Sequence, residues 1–92
     1  SFNQFHLIAI NKKNSNLIFD ISQNIPSGMI IKNLQIKNNK IFVQTLGYNE
    51  MSIYCYDVEH GLKNWFASFS ISNVYKSYNL EFAFYNNNVI VP

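Results

Sequence analysis

Between residues 53 and 58 almost every position is apolar or aromatic (Ile53-Tyr54-Cys55-Tyr56-Asp57-Val58), which predicts a strand covered on both faces. Asp57 and Gly61 then punctuate the run, and the chain returns through 62–67 as a second strand. A carboxylate at the mouth of such a turn accepts backbone N–H groups two or three residues on. A glycine four residues later supplies the positive φ that closes it. Elsewhere Leu34 and Ile36 alternate with Asn33, Gln35 and Lys37, the pattern of a half-exposed strand. Short apolar runs at 5–10 and 17–21 flank the polar stretch 11–16 and read as a hairpin. Turn chemistry follows at 23–28, where Pro26 and Gly28 sit. Asn38-Asn39 leads into a strand at 40–45, and 46–50 reads as a loop. Beyond the central pair, the polar and aromatic segment 68–78 crosses to a strand at 80–84, and Asn86-Asn87-Asn88 turns into Val89-Ile90-Val91. β-Branched residues, aromatics and asparagines recur too often for any helical period. The predicted class is all-β.

The pattern also repeats. Leu7-Ile8-Ala9-Ile10-Asn11 overlays Ile53-Tyr54-Cys55-Tyr56-Asp57 at an offset of 53 − 7 = 46, which brings Ser15 onto Gly61 and Phe19 onto Trp65. Leu34-x-Ile36-x-Asn38-Asn39-Lys40-Ile41-Phe42-Val43 overlays Phe82-x-Phe84-x-Asn86-Asn87-Asn88-Val89-Ile90-Val91 at 82 − 34 = 48. Four short strands at this period fall in the range of β-propeller blades.

Within that repeat, Cys55-x-Asp57-x-x-His60-Gly61-x-x-x-Trp65 resembles the tryptophan-docking motif A-x-D-x-x-T-G-x-x-x-W of pyrroloquinoline-quinone (PQQ) type propeller repeats. Asp57, Gly61 and Trp65 match, while Cys55 and His60 replace alanine and threonine. The earlier copy keeps the alanine (Ala9) and has Asn11, Asn14, Ser15 and Phe19 at the other positions. The resemblance covers nearly the whole chain. It implies a β-propeller fragment of about two four-stranded antiparallel blades: the outer hairpin of one blade (1–22), a complete blade (31–68) and the inner hairpin of the next (79–92). Trp65 would dock against a neighbouring blade, with Asp57 and Gly61 shaping the turn that presents it. Such a ring contributes roughly 2–3 kcal/mol or more on burial.

The same family includes quinoprotein dehydrogenases and the propeller lipoprotein of the outer-membrane β-barrel assembly machinery. The expectation is a non-catalytic scaffold for protein–protein interaction of the second kind, in the periplasm or exported. A fragment of a PQQ-dependent dehydrogenase is the first alternative, and a free-standing β-sandwich binding module the second. The chain carries no cysteine pair and no recognisable calcium constellation, so neither a cofactor nor a metal is assigned to it.

Composition narrows the rest. Of 92 residues, 48% are hydrophobic and 16% aromatic, enough for a packed core in one domain. Only 13% are charged, against roughly 25% in an average domain. The net charge of +2 comes from seven lysines and no arginine, scattered between apolar runs, which argues against nucleic acid. No apolar run reaches the ~18 residues needed to cross a bilayer, and the start lacks the pattern of a signal peptide. Single Cys55 rules out an internal disulfide and reads as a small buried filler at the family's alanine position. His60 and His6 read as structural, and Glu50 and Glu81 are too isolated for an acid/base pair. Tyr75, Lys76 and Tyr78 form the segment most like a protein-contact loop, the alternative being a connector between blades. Incomplete hairpins expose strand edges, so the chain is expected either inside a longer propeller or in a homo-oligomer that completes blades between copies.

Overall fold

The computed structural model describes residues 2–70, 83–85 and 88–90. Among these the secondary structure is entirely β, in eight antiparallel strands: β1 (Phe2–Ile10), β2 (Leu17–Pro26), β3 (Ile30–Lys37), β4 (Lys40–Leu46), β5 (Glu50–Asp57), β6 (Lys63–Ser70), β7 (Ala83–Tyr85) and β8 (Asn88–Ile90). Each strand pairs with its sequence neighbour. β1 and β2 form one hairpin, β3-β4-β5-β6 a four-stranded meander, and β7 and β8 a second hairpin. Asn38 and Asn39 both adopt positive φ (53° and 61°), which two-residue hairpin turns require and asparagine tolerates. That turn fixes the β3–β4 register, with Lys37 opposite Lys40 and Ile36 opposite Ile41.

The β1–β2 hairpin lies face-on against the meander. Phe5, Leu7, Phe19 and Ile25, with Met29 after the hairpin, pack on Ile41, Val43, Tyr54 and Tyr56. Phe5 meets Tyr54 and Tyr56 edge-on at centroid separations of 5.5 and 6.5 Å, the geometry that aromatic quadrupoles favour. The other side of β4 and β5, bearing Phe42, Gln44, Leu46, Met51, Ile53 and Cys55, is buried too. Both faces of the two central strands are therefore covered, which accounts for the near-continuous apolar run on β5.

Two readings of the sequence need correction. The segment 23–28 is not all turn: β2 runs through Gln23, Asn24 and Ile25 to Pro26, and the chain reverses at Ser27-Gly28. Alternation prevails over the turn-like composition because Phe19, Ile21, Gln23 and Ile25 share one face, and Ile25 is buried in the core. On β3 the alternation holds but its apolar side is the exposed one, Leu34 and Ile36 included. A two-stranded hairpin spans the two central strands of a four-stranded sheet, and β3 lies outside its shadow.

Candidate docking site

The repeat seen in sequence is a repeat in geometry. In the second copy Asp57 N–H donates to Leu62 C=O at 2.9 Å and Gly61 N–H donates to Asp57 C=O at 3.1 Å. In the first copy Asn11 N–H donates to Asn16 C=O at 2.8 Å and Ser15 N–H to Asn11 C=O at 2.7 Å. Each partner stands 46 residues from its counterpart. Ser15 and Gly61 both take left-handed backbone angles, φ 64° and 72°. The register also slips at the same place, between Ala9 and Ile10 in one hairpin and between Cys55 and Tyr56 in the other, which leaves Ala9 opposite Phe19 and Cys55 opposite Trp65.

The side chain at the turn's first position holds it closed. Asp57 Oδ1 accepts N–H groups from His60 at 2.6 Å and Gly61 at 2.9 Å. Asn11 Oδ1 accepts from Lys13 at 2.9 Å and, more weakly, from Asn14 at 3.4 Å. The His60 amide, joined by those of Gly61 and Leu62, holds the Asp57 carboxyl below its ordinary value against a smaller opposing effect of desolvation. His60 thus contributes chiefly its backbone amide to the turn, and its exposed side chain adds a smaller electrostatic effect on Asp57.

What the two turns bring together is Phe19 and Gly61. A methyl group built on Gly61 would stand 2.7 Å from Phe19 Cδ1, so the ring of the first copy rests on the bare backbone of the second copy's glycine. Ala9 packs against the same core. Trp65, the second copy's ring, touches Phe42 at a centroid separation of 6.0 Å and remains 41% exposed.

Gln23 was not singled out by sequence reasoning, yet it ties the hairpin to the sheet. Its Oε1 accepts from the buried Tyr56 hydroxyl at 2.9 Å and from Lys63 Nζ at 3.3 Å. The signal was its place on the Phe19–Ile25 face. Burial, reinforced by Tyr54, pushes the Tyr56 phenol well above its ordinary value, so it stays a neutral donor.

The remaining candidates do not converge. Cys55 is a buried free thiol whose pKa is raised by desolvation, with Lys40 opposing, so it is a poor nucleophile. His6 lies 3.5 Å from Asp20 Oδ1 on the exposed face of the first hairpin. Asp20 sits within β2 opposite Ile8. Glu50 accepts a short hydrogen bond from Ser68 Oγ. Among the described residues no three His, Cys, Asp or Glu side chains gather as metal ligands, and no helix is long and apolar enough to cross a membrane. Tyr75, Lys76, Tyr78 and Glu81 lie outside the described residues. No family model, curated protein or solved structure matches the chain.

Proposed function

We propose that this chain is a segment of a non-catalytic β-propeller of the PQQ-repeat kind, serving as a protein-interaction scaffold. The observation that carries the reading is Phe19 seated on Gly61. The resemblance implies that the ring of one repeat docks against its neighbour, and Phe19 meets the neighbouring copy at the equivalent turn. The supporting arrangement is a four-stranded meander with both central faces covered, as a leaf stacked between leaves must be. Scaffold function follows from chemistry that is inert where it is best defined. The motif's carboxylate is committed to backbone amides, its cysteine is buried, and its histidine ring points into solvent.

Two measurements test this. In a double-mutant cycle, Gly61→Ala and Phe19→Leu should couple by at least about 1 kcal/mol, because trimming the ring relieves the clash that the new methyl creates. Independent effects would remove the docking contact from the argument. A dye-linked oxidation assay with PQQ and calcium, run over alcohols and sugars, should give no turnover above the cofactor-free blank. Turnover would replace the scaffold with a quinoprotein dehydrogenase.

A further inference from the structure

The four-stranded meander ends in two edge strands of different character. β3 carries Lys32 and Lys37, and a bulge between Ile31 and Asn33 breaks its ladder, both of which discourage another strand from adding to an edge. β6 lacks these guards over most of its length. From Trp65 to Ser70 it has no charged residue, glycine or proline, and its ladder with β5 runs unbroken from Cys55–Trp65 to Glu50–Ser70. Among the described residues β6 pairs only with β5. Seven of its eight residues are exposed, including Trp65 at 41%, Phe66 at 50% and Phe69 at 38%.

This edge lies inside the chain, which continues beyond Ser70, and it is the rim of a sheet whose central strands β4 and β5 stay buried on both faces. In the propeller reading β6 is also the outermost strand of its blade, so flanking blades stack on its faces and not on its edge. Such an edge offers unpaired N–H and C=O groups to a strand of matching pattern. β6 has that pattern itself. One side presents Trp65, Ala67 and Phe69, a large-small-large order that is its own complement under a two-fold axis. With Ala67 opposite Ala67, each Trp65 stands opposite the Phe69 of the second copy. On the other side each Phe66, tilted against Tyr54 at a centroid separation of 4.8 Å, stands opposite a Ser68. Antiparallel pairing also sends the two Lys63 ammonium groups to opposite ends of the ladder, whereas parallel pairing in equal alignment would set them side by side.

We propose that β6 of one copy of this chain pairs antiparallel with β6 of a second copy about a two-fold axis at Ala67, joining two four-stranded meanders into one continuous sheet. Trp65 and Phe69, exposed in the single copy, become cross-strand aromatic pairs on either side of the axis.

Light scattering on the full chain, taken from micromolar to millimolar concentration, should show monomer giving way to dimer. Phe69→Lys places a charge opposite Trp65 at a site exposed within the single copy. It should raise the dimer dissociation constant at least about tenfold with the far-ultraviolet spectrum unchanged. Cysteine variants under mild oxidation then fix the register, with Cys55 left in place because it is buried. Ala67→Cys should give a disulfide-linked dimer at least about tenfold more than Phe66→Cys or Ser68→Cys. Residues directly opposite lie within disulfide reach, whereas those one position off the axis stand roughly 8 Å from their own copies. A monomer at every concentration would overturn the pairing, and would do so even if a strand of another protein proved to occupy the edge, while leaving the Phe19–Gly61 coupling and the propeller reading intact. A dimer that Phe69→Lys does not weaken, or one that links best through the Phe66→Cys or Ser68→Cys variant, would overturn it as well.

Discussion

The hairpins β1–β2 and β5–β6 are one local structure in two surroundings. They share the turn hydrogen bonds, the left-handed fifth residue and the register slip, yet their burial is inverted. Phe19 is 9% exposed and Trp65 41%, while on the opposite faces Ile8 and Ile10 are exposed and Tyr54 and Tyr56 buried. Local sequence thus sets the shape of the hairpin, and its burial depends on which neighbour it meets. The first hairpin covers Tyr54 and Tyr56 of the meander with its Phe5–Phe19 face and leaves Ile8 and Ile10 in solvent. The first hairpin has a successor and the second covers no described unit through Trp65.

The sharpest way to break the comparison is to delete the rings. Phe19→Ala removes a buried ring and leaves a cavity between hairpin and sheet, for an expected loss of about 3–5 kcal/mol. Trp65→Ala should cost about half of that or less, since the larger ring is only partly withdrawn from water. Urea denaturation at low protein concentration gives both numbers. Equal losses would mean that the two rings are equally covered and that the asymmetry is false.

Gly61→Ala probes the same contact from the other side. Its φ of 72° strains an alanine, and the methyl group must displace the Phe19 ring. About 2–3 kcal/mol is expected, part strain and part repacking. Ser15→Ala, at the equivalent angle, should cost much less.

Acid separates the turns again. The lowered carboxyl of Asp57 contributes stability that is fully present well above its ordinary value of 3.8 and is lost as the pH falls through that value toward the lowered one. Asn11 contributes no such dependence, because an amide does not titrate. The melting temperature of the Asp57→Asn variant should therefore vary less between pH 6 and pH 2 than that of the parent. Asn11→Asp should steepen the dependence. An unchanged profile in both variants would show that the carboxylate does not stabilise the turn.

Much of this was legible because β-hairpins advertise themselves locally. Asn38-Asn39, Asp57 and Gly61 specify turns through backbone angles and amide acceptors that depend on nothing distant, and the offsets of 46 and 48 carried the equivalence of the pairs. Sequence did not show that Leu34 and Ile36 stand exposed, since alternation identifies a face without saying what covers it. It also misread Gln23. A polar residue beside asparagine and before proline looks like a turn, and its role depends on Tyr56, 33 positions away, presenting a hydroxyl that needs an acceptor. The chemistry of the turns could be read locally, whereas burial belongs to the assembly of units.

The mildest test concerns Ser15. A non-glycine residue at φ 64° carries a penalty of roughly 1–2 kcal/mol that glycine does not. Glycine is also more flexible in the unfolded chain, which returns part of the gain. Ser15→Gly should therefore stabilise the first hairpin by about 0.5–1 kcal/mol, with the gain read as a higher urea midpoint at unchanged slope. Because that substitution copies Gly61 into the first turn, its effect measures how far the two copies have diverged at their most constrained position. A loss of stability would mean that the serine side chain holds the turn by a contact with no counterpart in the second copy, and the equivalence of the two turns would then extend to the backbone alone.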